Sequence, residues 1–336
     1  MLNGYDVSNT RKFPKSFNTS LFSDLVNEWL ESKKGNISEN CHQIYIYAAK
    51  HICKYFKDTY IQDITPLIIE QYYKTKSLVN EDMGIKPLSQ ETLRDHRTAI
   101  EGTFKRAIEI HRIVMDNPAE KVGFPKRQDN VFAYFNKEQL NIVIDKIQGD
   151  PIEVAVIITA NYGLRRSEVL GLKWSAFDFE SKTFTIKHTV AVVKGKAQDR
   201  DRTKSRSSRR SFPLEDDFIE YLLQLKAEQE KMKKVYGNAY HENDYVCKYA
   251  DGQRLQPNNL TRRWRIFLNR NDLPHIRFHD LRHTTASILI NHGFNLKEVQ
   301  EWLGHSDIGT TANIYGHLDS QSKNNIANGF GRLITM

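Results

Sequence analysis

The chain has 336 residues, 39% hydrophobic and 11% aromatic, and its 49 lysines and arginines against 41 acidic residues give a formal net charge of +8. That composition excludes a disordered chain, exceeds what one core usually covers, and asks for a polyanionic partner such as nucleic acid or an anionic surface. No apolar run approaches the roughly 20 residues that cross a bilayer, the N-terminus lacks a signal peptide's apolar core, and Cys41, Cys53 and Cys247, without C-x-x-C spacing, suit free thiols in a reducing cytoplasm.

Residues 1–18 are polar, carry Arg11, Lys12 and Lys15, and show no periodicity, so they read as a flexible lead-in. From Thr19 the pattern is helical. Phe22, Leu25, Val26, Trp29 and Leu30 recur at i, i+3, i+4, i+7 and i+8 behind a Thr19 or Ser20 cap. A second helix is predicted after Ser38, with Tyr45, Ala48, Ala49, Ile52, Tyr55 and Phe56 inward. A third begins at Thr65-Pro66, where threonine caps and proline takes the first turn. The fourth opens at Ser89, buries Leu93, Ile100, Phe104, Ala107 and Ile108, and carries Arg94, Arg97, Lys105 and Arg106 on its other faces. Together they predict an all-helical domain over 19–118. The short basic stretch 119–134, with Gly and Pro, reads as an interdomain linker.

A second domain is predicted over 135–320, opening behind Asn136 as a cap. Residues 159–179 read T-A-N-Y-G-L-R-R-S-E-V-L-G-L-K-W-S-A-F-D-F; alone, Arg165-Arg166 would pass for a surface ion-pair dipeptide. The run F-T-I-K-H-T-V-A-V-V is β-branched and alternating, which predicts strands. Residues 194–214 set eight basic residues against Asp199 and Asp201 and read as a solvated loop or a nonspecific DNA patch. Helices are predicted over 215–235, with Phe218, Tyr221, Leu222 and Leu225 in contact spacing, and over Asn258 to Asn269, with Leu260, Trp264 and Phe267 inward. Between them, 236–247 reads as a loop entering a short buried strand.

The stretch from His279 to Tyr315 carries the chemistry. His279 and Arg282 sit three apart on one helix face. Asn295 caps a helix with Leu296, Val299, Trp302 and Leu303 at contact spacing, which stops at Gly304 and leaves His305 exposed just past its end. T-T-A-N-I-Y then brings in Tyr315. A phosphodiester suits this set, because guanidinium and imidazole donors match its anionic oxygens and a phenol can attack phosphorus. With a pKa of about 10 in water, the phenol needs cationic neighbours or a base.

H-D-L-R-H, L-G-H and a tyrosine ten residues later, in that order, resemble the C-terminal signature of the tyrosine recombinases, the phage-integrase family. Y-G-L-R-R-S-E resembles that family's first arginine box, T-G-L-R-x-[SG]-E, with Tyr162 in place of the threonine, and T-K-S-R-S-S-R-R is similar to its K-[TS]-x-x-S-x-R hairpin motif. The resemblance implies a mainly α fold with a small antiparallel β-sheet (α+β), in which a helical core-binding domain and a catalytic domain form a C-shaped clamp on DNA, with a tail over 321–336 that can dock in trans. It implies that Arg165 and Arg282 bind the scissile phosphate with a hydrogen bond from His305. Tyr315 becomes the nucleophile that forms a 3′-phosphotyrosine, Lys204 protonates the leaving 5′-oxygen, His279 serves as proton acceptor or hydrogen-bond donor, and Glu168 orients Arg165. Arg94, Arg97, Lys105, Arg106, Arg206, Arg209 and Arg210 become DNA contacts. Neither metal nor ATP nor another cofactor is implied. The expected partners are double-stranded DNA at core recombination sites, further copies of the chain in a tetramer on two sites, and accessory DNA-bending or directionality factors. No membrane is expected among them, and the expected setting is the nucleoid of a bacterial or phage-type system, in integration or excision of a mobile element.

Three rival readings stand beside this one. A metal hydrolase can be drawn from His279, His283 and His305, but Arg282 would repel a dication. A silent DNA-binding regulator predicts a lost active-site residue, whereas all six positions hold competent types. A type IB topoisomerase shares the phosphotyrosine step. His283 and His317 read as helix-surface or structural histidines. Relatives often carry an N-terminal β-rich arm-binding domain, and no strand-rich segment precedes Thr19 in this sequence.

Overall fold

In the computed structural model, which describes residues 20–78, 87–124, 133–193, 195–201 and 210–305, four helices build the first of two units, Met1–Asp129 and Asn130–Met336. They are α1 (Phe22–Lys33), α2 (Glu39–Tyr55), α3 (Pro66–Ser77) and α4 (Gln90–Arg106). Three begin where the caps predict: Ser38 accepts from the Cys41 amide at 3.2 Å, Thr65 from Ile68 at 3.4 Å and Ser89 from Thr92 at 3.2 Å. Helix α1 instead starts behind Leu21, with no side-chain cap. Leu21 bridges Tyr60 in extended conformation, and the Phe22 amide donates to Thr59 O at 2.9 Å, so a backbone carbonyl does the cap's work.

The first core gathers Phe22, Phe56 and Phe104, with Phe22 ring centroids 5.2 Å from each of the other two. Each such side chain, fully buried, contributes roughly 1.5–3 kcal/mol. Ala119 and Val122, from the expected linker, pack into this core from within and just after a 3-10 turn over Pro118–Lys121. Phe124 follows, edge-on to Tyr73 at 5.4 Å.

The second unit opens with α5 (Lys137–Lys146), closed at its start by a capping box between Asn136 and Gln139. The buried helix α6 (Glu153–Tyr162) and the single turn α7 (Arg166–Val169) follow. A small antiparallel sheet takes the order β1-β2-β5 from β1 (Phe177–Asp178), β2 (Thr183–Thr185) and β5 (Ser211–Pro213), pairing Phe184 with Phe212. A separate hairpin pairs β3 (His188–Val193) with β4 (Lys196–Asp201), in register from His188↔Asp201 to Val193↔Lys196. Residues 196–201, expected in a solvated loop, are therefore a strand. Its charges are accommodated because Asp199 pairs with Arg254, and Arg254 also donates to Ala197 O at 3.1 Å.

Helices α8 (Asp216–Tyr236), α9 (Pro257–Arg270), α10 (Asp280–Asn291) and α11 (Leu296–Leu303) complete the described chain. The buried strand expected near 245 is a single bridge, Lys173↔Tyr245, followed by buried Val246 and Cys247. Helix α10 packs on α6, where the Thr285 hydroxyl donates to Ala160 O at 2.9 Å. The fold is mainly helical with small antiparallel sheets, and among the described residues no helix is long and apolar enough to cross a membrane. Lys204, Arg206, Arg209, Tyr315, His317, the lead-in 1–18 and the tail 321–336 lie outside the described residues.

Candidate active site

Three helix ends in the second unit meet at one guanidinium. Arg282, in the first turn of α10, is 1% exposed. Its Nη1 donates to Gly163 O at 2.7 Å, its Nη2 to Leu303 O at 2.5 Å and its Nε to His305 Nε2 at 3.2 Å. Gly163 ends α6 in the left-handed conformation (φ 62°) and Leu303 is the last residue of α11. Helix C-termini present carbonyls without intrahelical donors and a partial negative charge, so a buried cation is stabilised there.

Beside it Glu168, 0% exposed, organises two further arginines. Its Oε1 accepts from Arg165 Nη1 at 2.8 Å, while its Oε2 accepts from the Arg165 amide at 2.8 Å and from Arg210 Nη2 at 2.9 Å. Burial alone would raise the carboxyl's pKa; the charges of Arg210 and Arg165 and the Arg165 amide outweigh it and hold Glu168 below its ordinary value, ionised. Arg165 Nη2 also donates to Gly304 O at 2.8 Å. Arg210, expected among solvent-facing DNA contacts, has a side chain only 10% exposed. It donates to Trp302 O at 3.0 Å and lies over the Phe212 ring at 5.4 Å. The reason is strand alternation: Arg210, Phe212 and Leu214 face inward, and Ser211 and Pro213 outward.

His305 follows a tight helix stop. Gly304 takes φ 65°, its amide donates to Gln300 O at 2.8 Å and the His305 amide to the same carbonyl at 3.1 Å. The ring is half-buried against Arg282, not exposed as the sequence suggested, because this stop turns it back over α10. Burial, then the charges of Arg282 and Arg165, lower its pKa to about 3. His305 is thus neutral, and with Nε2 accepting from Arg282 its proton is assigned to Nδ1. His279 precedes α10, its pKa lowered by desolvation and then by Arg282. His283 lies edge-on to it at 5.5 Å, 5% exposed, its pKa pushed down to about 4 chiefly by burial, which fits a structural residue.

The site therefore brings Arg165, Glu168, Arg282 and His305 together, adds Arg210, and sets His279 with Arg165 on the wall of a cleft of about 440 Å³. Two guanidiniums on one carboxylate, with a third beside a neutral imidazole, leave an excess of positive charge that suits an anion. Two expectations follow. A Cβ on Gly304 would lie 2.7 Å from Arg210 side-chain atoms in a left-handed backbone, so Gly304→Ala should destabilise by about 1–3 kcal/mol, seen as a lower melting temperature. The second concerns pH. His305 titrates near 6.5 unfolded and near 3 folded, so the unfolded chain binds more protons between those values. Stability is then full above about pH 6.5 and falls as pH drops toward 3; melting of wild type and His305→Asn across that window should show a shallower decline in the variant.

The expected DNA contacts of the first unit lie on α4, each with an internal partner. Arg94 and Arg97 stack over Phe124 at 5.2 and 5.6 Å, and Arg97 also meets Glu101 at 2.5 Å. Arg106 pairs with Glu28 at 2.8 Å and Lys105 with Glu109 at 3.8 Å.

Residues 134–322 match the phage integrase family, and residues 21–77 match the phage integrase N-terminal SAM-like domain. The chain belongs to the phage integrase family. It is 30% identical over 224 residues to the XerC-like tyrosine recombinase of Caldanaerobacter subterraneus subsp. tengcongensis, a match spanning 63% of this chain and 56% of that relative. It is 25% identical over 300 residues to the ICEBs1 integrase of Bacillus subtilis, spanning 88% and 79%. The fold is like that of the Tn1549 transposon integrase solved in complex with transposon right end DNA, with a TM-score of 0.72 at 18% identity, covering 92% of this chain and 99% of that one.

Proposed function

We propose that the chain is a site-specific DNA recombinase that cuts and rejoins strands through a 3′-phosphotyrosine, in integration or excision of a mobile element. What supports this reading is that Arg165, which donates to Gly304 O, and Arg282, which donates to His305, meet at the end of one helix in a chain of this family. Arg165 and Arg282 bind the non-bridging oxygens of the scissile phosphate, Glu168 holds Arg165 in position, and His305 donates from Nδ1. Charge growing on those oxygens in the transition state is stabilised by groups already in place. The Tyr315 oxygen bonds to phosphorus as its proton passes toward His279. The bond from phosphorus to the 5′-oxygen breaks, and Lys204 delivers a proton to that oxygen. A 5′-hydroxyl from a partner strand reverses the step, so the phosphoester's energy is kept and no ATP is consumed. Exchange of two strand pairs needs four protomers on two sites, and accessory DNA-bending or directionality proteins fit the same scheme. Arg94, Arg97, Lys105, Arg106, Arg206 and Arg209 belong to backbone affinity in this reading, and Arg210 to support of the site.

The test is covalent capture. Wild-type protein incubated with genomic fragments should become linked to DNA in a denaturing gel, with one recurrent sequence recovered. Tyr315→Phe should bind but link at least about 10⁴-fold less, since it has no nucleophile. Equal linkage by both proteins would defeat the proposal, and relaxation of supercoiled plasmid without strand exchange would favour a topoisomerase.

A further inference from the structure

The cleft beside Arg165 holds cations that the reaction above leaves unused. It shares Arg165 and His279 with the candidate site, and Arg166, Ser167, Thr261, Arg277 and Phe278 line its remainder. Arg166 Nη1 donates to the Thr261 hydroxyl at 2.7 Å, which itself donates to Pro257 O at 3.0 Å on α9. Arg277 is gripped by Asp280, with Nη2–Oδ1 at 2.9 Å and Nε–Oδ2 at 3.1 Å. Asp280 is 3% exposed, whereas the Arg277 side chain stays 70% exposed. Arg277 answers the buried Asp280 carboxylate with one edge of its guanidinium and Arg166 holds only a neutral hydroxyl, so stability alone gives little reason for both cations to face this cleft. A guanidinium fixed along one edge and facing solvent elsewhere has already lost the rotamer freedom that binding an anion would otherwise cost.

We propose that this cleft seats a second backbone phosphate of the cleaved strand, the neighbour of the one held by Arg165 and Arg282. Arg166 and Arg277 are its cationic partners and the Ser167 hydroxyl a neutral donor. This rests on the function proposed above. Each strand of duplex DNA carries one charge per roughly 3.4 Å of helix axis, so a site that grips one phosphate faces its neighbours. Two seated phosphates define a direction, where one allows the strand to pivot. The scissile phosphorus is thereby aligned for in-line attack, which makes Arg166 and Arg277 positioning residues.

The experiment is a salt series of binding to a fluorescent duplex of about 30 base pairs of arbitrary sequence, read by anisotropy. Glutamine at 277 keeps an amide donor for Asp280 but not its counter-charge, so the Arg166→Gln/Arg277→Gln protein should fold and melt somewhat below wild type. Its plot of log affinity against log salt should be shallower by about 0.9, the loss of one phosphate contact. The Arg166→Lys/Arg277→Lys protein, which keeps both charges, should retain the wild-type slope. If the double glutamine protein does not fold, Arg166→Gln alone should lower the slope by about half a unit. An unchanged slope, an equal loss in the lysine protein, or no measurable binding by wild type overturns the proposal. Covalent linkage does not enter this readout. Linkage at Tyr315 with unchanged slopes therefore defeats only the cleft, and altered slopes without linkage defeat the recombinase reading.

Discussion

Arg282→Ala is expected to melt about 10 °C below wild type and to form covalent DNA complexes at least about 10³-fold more slowly. Both effects trace to the same side chain. Alanine leaves the carbonyls of Gly163 and Leu303 without their donor in a site 1% exposed, a loss on the order of 3–5 kcal/mol. In the proposed reaction it also deletes a charge that would meet the phosphate oxygens. Arg282→Lys keeps the charge but not the planar fork, and it should recover part of the stability while cleavage stays down about 10²-fold. Melting by circular dichroism and denaturing-gel capture read the two effects separately. A variant within 2 °C of wild type, by the same scaling, would mean that the buried guanidinium does not hold the helix ends together.

Glu168→Ala should be comparably severe. The carboxylate, 0% exposed, is shared by Arg165 and Arg210, and removing it leaves two guanidiniums facing each other across a buried gap. The expected loss is about 3–5 kcal/mol, the range for breaking a buried ion pair from one side. Glu168→Gln separates shape from charge: it keeps the size but turns an amide N–H toward one arginine. It should fold better than the alanine protein yet link to DNA about 10²-fold more slowly than wild type, because Arg165 loses its orientation. Normal linkage in a folded Glu168→Gln protein would show that Arg165 needs no such support.

Much of the fold was legible because its signals are local. Ser38, Thr65, Ser89, Asn136 and Asn295 accept amide hydrogen bonds where their positions said they would. Gly163 and Gly304 end helices in the backbone region that glycine favours. The convergence of Arg165, Arg282 and His305 was legible only through the order of their motifs, since nothing in one dipeptide says which distant carbonyl it will meet. Charge composition misled where tertiary partners intervened. The K-A-Q-D-R-D strand looked like loop until Arg254 met Asp199, and Arg210 looked solvated although its alternation with Phe212 already placed it inward. Likewise Arg94 and Arg97 read as solvent-facing, while each stacks on Phe124 from beyond the expected domain end.

The partners of Arg282 lie 119 residues before it and 21 after it. A ribosome-bound or partly melted chain whose last described helix has not docked therefore lacks one of the two carbonyls that hold Arg282. In the proposed reaction, competence to cleave would therefore be acquired together with the docking of that helix.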